Sequence, residues 1–425
     1  MDFTRLFFLF CPTSRAGLRR LNSEVPCPPR RYNKGMRRIY MDANATTPLL
    51  PEVFEAMRPF FIDSFGNASS IHQHGQHARA AVERAREQVA ALLHCRPTEI
   101  VFTSGGTESD NTAIFGVLRP GDHLITSSIE HHAVLHSAHK AQERGIDVTY
   151  LPVSATGIID PFDVYRALKP NTRLISVMMA NNETGVVQPV EQIGKIAAEA
   201  EVAFHTDAVQ AAGKIPIDVT AIGCHLLSLS GHKLHAPQGI GVLYVRRGKR
   251  FEPLFFGGAH ERQRRAGTEN VAGIVGLGKA AELAKSGLED GTVEMVGVRR
   301  DRLEQGLLAK IDECVVNGAG QPRVPNTTNL CFRHLEGEAL VIALDLKGLA
   351  VSGGSACSSG STEPSHVLKA MGLSNHDARA SLRFSLTKQN TDADIDTALE
   401  MVPAAVARLR ELSPVYKKVL AEAAQ

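Results

Sequence analysis

Short apolar segments alternate with helix-like segments along most of this chain, and this alternation is the strongest constraint on its fold. The predicted strands between residues 99 and 245 are 99–103, 123–127, 147–151, 173–179, 202–206, 226–229 and 241–245. Helical patterns such as 80–93, 108–115 and 190–200 lie before and between them. Strands that alternate with helices form a mostly parallel sheet covered by helices on both faces. We therefore predict a large α/β domain.

A second, smaller unit is predicted after this alternating region. It contains a long helix over 296–310, strands near 329–332 and 380–385, and a helical region at its C-terminal end. We predict that residues 51–288 form the large domain. Residues 37–50 and 289–425 are predicted to form a smaller α+β domain that carries a Gly/Ser-rich loop at about 352–363.

The first 36 residues differ in composition from the rest of the chain and are predicted to be a disordered extension. They are rich in Arg and Pro, and their apolar run 6–10 is shorter than the roughly 7–15 apolar residues of a secretory signal. An Arg-rich, acid-poor stretch is compatible with an organelle presequence. The alternative is an over-long start, with Met36 as the real beginning.

Charge and cysteine usage exclude several classes of protein. The net charge of +2 gives no reason to expect a nucleic-acid partner. No apolar stretch approaches the roughly 20 residues that span a membrane. The 7 cysteines are scattered without a Cys-x-x-Cys pair, which argues against a disulfide scaffold or a zinc site and favours the cytoplasm.

Two side chains indicate chemistry rather than packing. Cys357 lies in a run of Gly and Ser with little to bury, whereas a free cysteine usually packs as a small apolar residue. We therefore predict a thiol on an exposed, mobile loop. Lys233 ends the segment Ser-Gly-His-Lys that follows an apolar run, and such a lysine is a candidate Schiff-base amine. Together they suggest chemistry on an amino acid and its sulfur.

Asp207 follows a predicted strand, where side chains of α/β proteins face the ligand crevice. A carboxylate there can pair with the protonated pyridine nitrogen of a pyridoxal ring. The alternative is an ordinary helix N-cap. With Lys233 further along the chain, we favour the cofactor.

The segment Thr-Ser-Gly-Gly-Thr at 103–107 joins a strand to a helix and could hold a phosphate. Gly105 and Gly106 let the backbone approach an anion, and the helix N-terminus offers unpaired N–H groups. Ser230 and His232 are candidate further donors. The basic, Gly-rich segment 257–268 either completes the site across a subunit boundary or is a solvated loop.

Three more polar side chains are candidates for the site. His131 could stack on a flat ring and shuttle protons, and no third ligand with suitable spacing supports a zinc site. Asn182 closes a strand, where its amide could bind a carboxylate or a phenolic oxygen, or form a tight turn. Arg383 lies in an apolar run, where a grip on a substrate carboxylate and an ion pair with a local acid are both open.

In this order, the segments resemble the cysteine desulfurases of the NifS/IscS type, within the class V aminotransferase family. The resemblance runs from about Tyr40 to about Leu412. The motifs that carry it are Tyr-Met-Asp-Ala-Asn-Ala-Thr-Thr-Pro from Tyr40, the segment from Thr103 to Asn111, Asn-Asn-Glu-Thr-Gly, His-Thr-Asp-Ala-Val-Gln, Ser-Gly-His-Lys and Gly-Ser-Ala-Cys-Ser-Ser-Gly.

The resemblance implies a homodimeric fold-type-I enzyme that uses pyridoxal 5′-phosphate. It implies that Lys233 is the Schiff-base lysine and that Cys357 receives the sulfur. Asn182 and Arg383 match the substrate-binding pair. The implied cofactor contacts are Gly106, Thr107, Ser230, His232 and Thr268 of the other subunit at the phosphate, His131 on the ring, Asp207 at the pyridinium and Gln210 at the phenolic oxygen.

The function implied by the resemblance is removal of sulfur from L-cysteine, giving L-alanine and a persulfide on Cys357. The sulfur acceptor would be an iron–sulfur scaffold or a thiolation relay. Cys357 is also a candidate ligand for a transferred iron–sulfur cluster, and no other metal is expected. The alternatives are a selenocysteine lyase, a class V aminotransferase, which needs no mobile cysteine, and an idle sulfur-transfer scaffold.

Overall fold

The computed structural model describes residues 38–353, residues 363–413 and Tyr416. The predicted extension 1–36 and the residue Cys357 lie outside the described residues. The strands are β1 (Ile39–Tyr40), β2 (Ile100–Thr103), β3 (His123–Ser127), β4 (Asp147–Leu151), β5 (Thr172–Ser176), β6 (Ala203–Asp207), β7 (Leu226–Ser230), β8 (Gly241–Val245), β9 (Cys314–Val316), β10 (Thr327–Phe332), β11 (Leu349–Ala350) and β12 (Ser381–Ser385).

Helices precede, separate and follow these strands. They are α1 (Pro51–Met57), α2 (Pro59–Ile62), α3 (Gln73–Leu93), α4 (Gly106–Val117), α5 (His132–Glu143), α6 (Pro161–Ala167), α7 (Val190–Glu199), α8 (Val219–Ile222), α9 (Val271–Glu289), α10 (Thr292–Lys310), α11 (Gly337–Leu346), α12 (His366–Ala370), α13 (Asn375–Arg379) and α14 (Asp392–Leu412). None of them, over the residues described, is long and apolar enough to cross a bilayer.

Within the described residues, one seven-stranded sheet has the strand order β2-β8-β7-β6-β5-β3-β4. Neighbours from β7 to β4 are parallel, as the sequence predicts. The strand β8 is antiparallel to both β2 and β7. The connection between β7 and β8, residues 231–240, is shorter than the dozen or so residues that a parallel crossover needs, so the chain returns in the opposite direction.

Helices cover both faces of this sheet. Every residue of β3 and of β5 to β8 is buried, with the exception of Arg173. This burial is expected for strands that are covered on two sides. The buried side chains of α3, α7 and α9 join one apolar cluster, and those of α4 and α5 join another. The result is a three-layer arrangement that leaves the carboxyl ends of β6 and β7 open to a crevice.

A separate apolar cluster joins α10, α11 and α14 to the antiparallel strands β9, β10 and β12. Ile39 and Met41, from the beginning of the described chain, pack into it. The elements α10, α14, β10 and β12 correspond to those predicted for the smaller unit, whereas β9 and α11 were not predicted. The exact division of the chain into domains stays a prediction.

The helix α9 is absent from the sequence-based assignment. Its first half contains three glycines, and glycine has a low helix propensity. Packing explains the small residues. A Cβ at Gly276 would lie 2.5 Å from the sulfur of Met57, and one at Gly278 would lie 2.6 Å from the Cβ of Ala85. Close contact with α1 and α3 therefore overrides the low helix propensity.

We predict that the buried pair Arg86–Glu261 is needed for stability. Two guanidinium N–H groups donate to the two carboxylate oxygens at 2.8 Å, and both residues are buried. Arg86→Met leaves the carboxylate buried without its cation, which we expect to cost about 3–5 kcal/mol of unfolding free energy in urea denaturation. As a control, Arg58→Met breaks an exposed pair with Glu55 and should cost less than about 1 kcal/mol. Equal losses in the two variants would contradict the prediction.

Candidate active site

A cavity of about 310 Å³ opens where β6 and β7 end and α4 begins. It collects most of the predicted site residues. Those that line it are Gly106, Thr107, His131, Asn182, Asp207, Gln210, Ser230, His232, Lys233 and Arg383. Side chains from distant parts of the chain thus meet at the crevice that the fold leaves open.

Lys233 ends the short 3-10 turn that follows β7. Its Nζ donates hydrogen bonds to the backbone oxygens of Asn44 at 2.5 Å and Ala45 at 2.7 Å. The neighbouring His232 contacts Thr46 through Nδ1 at 3.1 Å. The segment 44–46 therefore forms one wall of the cavity beside the amine.

Sequence reasoning assigned no role to this segment. Asn44 is buried, and its backbone N–H donates to the hydroxyl of Ser385 at 3.0 Å. Its side-chain Nδ2 donates to Thr327 Oγ1 at 2.8 Å and to the carbonyl of Asn182 at 3.2 Å. A run of small polar residues before a proline was the available signal, but its partners lie more than a hundred residues away along the chain.

Two buried carboxyl groups face the cavity. Asp207 ends β6 and accepts the backbone N–H of Val209 at 2.9 Å. Burial raises the pKa of Asp207 to about 6, although Val209 and Lys233 oppose the shift. Burial and the charge of Asp207 raise the pKa of Asp110, on α4, well above its usual range. Because like charges this near disfavour double ionisation, Asp110 holds a proton more readily than Asp207.

His205 lies behind these acids, with Nε2 at 3.6 Å from Asp110 Oδ1. Its ring contacts the hydroxyl groups of Ser176 at 2.8 Å and Ser228 at 2.9 Å. Burial lowers the pKa of His205 to about 3, so the ring stays neutral. Sequence reasoning named neither Asp110 nor His205 as a site residue.

His131 is fixed at the beginning of α5, where its Nδ1 accepts the backbone N–H of Ala133 at 3.1 Å. Burial, with help from Lys233, lowers the pKa of His131 to about 4. The ring is therefore neutral at physiological pH. Because Nδ1 is the acceptor, its proton lies on Nε2.

Arg383 lies in β12 and is buried. One guanidinium nitrogen donates to the carbonyl of Asn182 at 2.8 Å, and the other donates to Asp42 Oδ1 at 2.7 Å. The ion pair with a local acid is thus present. Within the described chain, Arg383 Nε and Asn182 Oδ1 are buried without a hydrogen-bond partner. Both residues line the cavity, so these two atoms are available for hydrogen bonds with a ligand.

The N-terminus of α4 gives the cavity an anion-binding end. Gly106 is buried there, and a Cβ at this position would lie 2.9 Å from Cγ2 of Val209. The absence of a side chain leaves the first-turn N–H groups accessible beside Thr107 and Ser230. Such an end favours a phosphate or another anion.

Thr268 does not line this cavity in the single chain. It is exposed and lines another pocket together with Arg265 and Glu261. Its predicted role requires a second subunit and stays a prediction. No cluster of three or more His, Cys, Asp or Glu that could hold a metal occurs among the residues with described positions.

Comparison with known proteins places these observations in a family context. The family described as Aminotransferase class-V matches residues 39–398. A cysteine desulfurase of Trichormus azollae is 53% identical over 379 residues, covering 88% of this chain and 94% of that protein. The cysteine desulfurase IscS of Methanosarcina thermophila is 50% identical over 384 residues, covering 89% and 95%.

Solved structures of related proteins are also similar to this chain. A NifS-like protein superposes with a TM-score of 0.81 at 35% identity, covering 88% of this chain and all of that one. A structure described as SspA in complex with cysteine has a TM-score of 0.73 at 38% identity, covering 83% and 99%. These likenesses confirm the predicted fold class and the resemblance found in the sequence.

We predict that Glu130, which is buried beside the cavity, makes stability depend on pH. Burial raises the pKa of Glu130 from 4.5 to about 8. Between these values the folded protein binds more protons than the unfolded chain, so stability falls as the pH rises. Glu130→Gln cannot ionise and should gain about 1–3 kcal/mol relative to the parent between pH 5 and pH 8, measured by urea denaturation. The exposed Glu191→Gln should leave the pH dependence unchanged, and an unchanged dependence in Glu130→Gln would contradict the prediction.

Proposed function

This chain belongs to the class V aminotransferase family, and from that premise we propose that it is a cysteine desulfurase. Such an enzyme takes the sulfur atom from L-cysteine and releases L-alanine. The observation that carries the proposal is that Lys233 lies in one cavity with Asp207 and Arg383. The relatives named cysteine desulfurase, and the related structure described with cysteine, support this choice.

We propose pyridoxal 5′-phosphate as the cofactor, because the groups around the cavity fit its parts. The N-terminus of α4 at Gly106 suits a phosphate, the carboxylate of Asp207 suits a ring nitrogen, and the amine of Lys233 suits an aldehyde carbon. Among the described residues, Asp110 Oδ1 and Asn182 Oδ1 have no hydrogen-bond partner, which also fits a polar guest. When bound, this cofactor stabilises negative charge at the α-carbon of an amino acid.

The described residues can then be given roles. Lys233 supplies the amine that holds the cofactor and afterwards moves the α-proton of the substrate. Asp207, with a pKa of about 6, is ionised at neutral pH and can hold a proton on the ring nitrogen. The neutral ring of His131 offers a flat surface and an N–H at Nε2.

We propose that the carboxylate of L-cysteine binds near Arg383 and Asn182. The guanidinium is already oriented by Asp42 and by the carbonyl of Asn182, so its position is set before a substrate arrives. The substrate carboxylate would share this guanidinium with Asp42. Arg383 Nε has no hydrogen-bond partner among the described residues and can donate to the carboxylate.

Cys357, which is outside the described part of the chain, is proposed as the sulfur acceptor. Its thiolate forms a bond to the substrate sulfur, the bond from that sulfur to Cβ breaks with its electron pair on carbon, and protonation of this carbon gives the methyl group of alanine. The described cysteines are poor alternatives. Burial raises the pKa of Cys95, Cys224 and Cys314 to about 12 and that of Cys331 to about 11, which suppresses the thiolate.

We further propose a homodimer in which Thr268 contributes to the phosphate site of the partner. Thr268 is exposed and apart from the cavity of its own chain. Several large apolar side chains are exposed, including Phe61 of α2 at 62%, Ile71 at 90% and Phe256 at 85%. Apolar surface of this kind is typical of an interface.

The sulfur acceptor is proposed to be an iron–sulfur scaffold or a thiolation relay, since one relative is named IscS. The cytoplasm is the proposed compartment, because the described cysteines are free thiols, as a reducing environment maintains them. Proteins trapped as mixed disulfides with Cys357 would identify the acceptor by mass spectrometry. Turnover of L-selenocysteine without turnover of L-cysteine would favour the lyase alternative.

We predict that the cofactor is attached to Lys233. Borohydride reduction of the enzyme loaded with pyridoxal phosphate, followed by peptide mass spectrometry, should place the adduct on this residue. Lys214 is the sharpest internal control, because its amine also contacts Asn44. An adduct on Lys214 instead would overturn the assignment.

We predict that Cys357→Ser separates the early from the late chemistry. The variant should bind the cofactor and change its absorption spectrum with L-cysteine, because these steps need only the cavity residues. It should release no alanine, since a serine hydroxyl cannot replace a thiolate in attack on sulfur. Cys95→Ser should keep normal alanine release. Near-normal alanine release by Cys357→Ser would argue for a lyase-like route.

A further inference from the structure

A second lysine, Lys214, lies beside the amine of Lys233. Its Nζ donates to Gln210 Oε1 at 2.7 Å and contacts Asn44 Oδ1 at 3.2 Å. The Nζ of Lys233 reaches the backbone oxygen of the same Asn44. Both lysines also line a rear cavity of about 180 Å³ that is distinct from the main one. Asn44 thus contacts both amines, one through its side-chain oxygen and the other through its backbone oxygen.

The partners of Lys214 have a fixed amide orientation. Gln210 Nε2 donates to the backbone oxygen of Asn44 at 3.0 Å, and Asn44 Nδ2 donates to the carbonyl of Asn182 at 3.2 Å. A carbonyl oxygen can only accept, so each amide must turn its nitrogen toward it. The two amide oxygens therefore face the amine of Lys214.

Gln210 depends on this amine more than Asn44 does. Asn44 Oδ1 also accepts a hydrogen bond from Asn326 Nδ2 at 3.1 Å. Gln210 is buried, and Lys214 is the partner that the structure records for its Oε1 among the described residues. A buried acceptor that loses its donor is costly, so without Lys214 the amide of Gln210 would reorient.

The contact does not require a charged amine. Burial, together with the positive charges of Lys233 and Arg383, holds the pKa of Lys214 well below its usual range. A neutral amine still has two N–H groups, which match the two amide oxygens. The hydrogen bonds therefore persist in either protonation state.

We propose that Lys214 is a positioning residue that holds the amide of Gln210, and with it the backbone of Asn44, in the orientation that serves the main cavity. Gln210 lines that cavity, and the backbone oxygen of Asn44 receives both its Nε2 and the amine of Lys233. Lys214 lines the rear cavity and is not among the residues that line the main cavity. The effect of Lys214 on kcat/KM rests on the proposed function, whereas its effect on the orientation of the Gln210 amide does not.

A double-mutant cycle tests the proposal in the enzyme loaded with pyridoxal phosphate. Lys214→Met keeps an unbranched side chain, one atom shorter, and removes its donors. It should lower kcat/KM for alanine release by about tenfold, the scale of a lost hydrogen bond at a buried acceptor, and shift the pH midpoint of the cofactor absorption change. In a Gln210→Ala background, the same change should cost less than about twofold, because the coupled partner is gone. Lys388→Met, at an exposed lysine of the rear cavity, should match the parent.

A second readout needs no cofactor. The side-chain amide protons of Gln210, assigned by their loss in Gln210→Ala, should exchange slowly with solvent in the unloaded parent protein and rapidly in Lys214→Met. Unprotected protons in the parent would overturn the proposal even if Lys214→Met does not fold. The proposal would also be overturned if Lys214→Met lowered kcat/KM equally in the parent and in the Gln210→Ala background. A kcat/KM of Lys214→Met within twofold of the parent value would overturn it as well.

The two readouts separate this inference from the proposed function. If the parent releases no alanine from L-cysteine, the proposed function is wrong, and the exchange of the Gln210 amide protons still decides the role of Lys214. If alanine is released and the exchange is unaffected by Lys214→Met, the function stands and the positioning role is wrong.

Discussion

The need to satisfy the buried polar groups of Asn44 organises the centre of this protein. This residue bonds through its side chain to Thr327 and Asn182, and through its backbone N–H to Ser385. Its backbone oxygen receives the amine of Lys233 and the amide of Gln210. In a water-poor interior each of these groups is costly to leave unpaired. The hydrogen bonds therefore bring the end of β7, the turn after β5 and the strands β10 and β12 to one point.

Burial acts on the charges of the cavity in a consistent direction. It raises the pKa of the acids Asp110, Asp207 and Glu130, and it lowers the pKa of the bases His131 and Lys214. Both trends favour the neutral forms, as expected when water is replaced by protein. These five groups, in and beside the cavity, therefore carry less charge than they would in water. Such groups can exchange protons at moderate pH, which suits acid–base chemistry on an amino acid.

Sequence patterns predict the parts of the fold that local forces determine. The alternation of apolar strands and helices predicts the sheet β3 to β7, and residues at strand ends such as Asp207 and Lys233 follow from that sheet. The direction of β8 depends on the length of one connection, and α9 depends on packing against other helices. The short connection can be read from the predicted strand bounds, whereas the packing of α9 leaves no local signal.

The site also depends on contacts between residues that are far apart in the sequence. The contact of Arg383 with Asp42 spans 341 residues of sequence, as does that of Asn44 with Ser385. Residues that are far apart in the sequence are also made at different times during synthesis. At roughly 5–20 residues per second, a ribosome needs on the order of tens of seconds to make the chain between them. Until Arg383 and Ser385 have been made, Asp42 and the backbone N–H of Asn44 lack these two partners. A chain that ends before Arg383 therefore contains every strand of the seven-stranded sheet but lacks the arginine that lines its cavity.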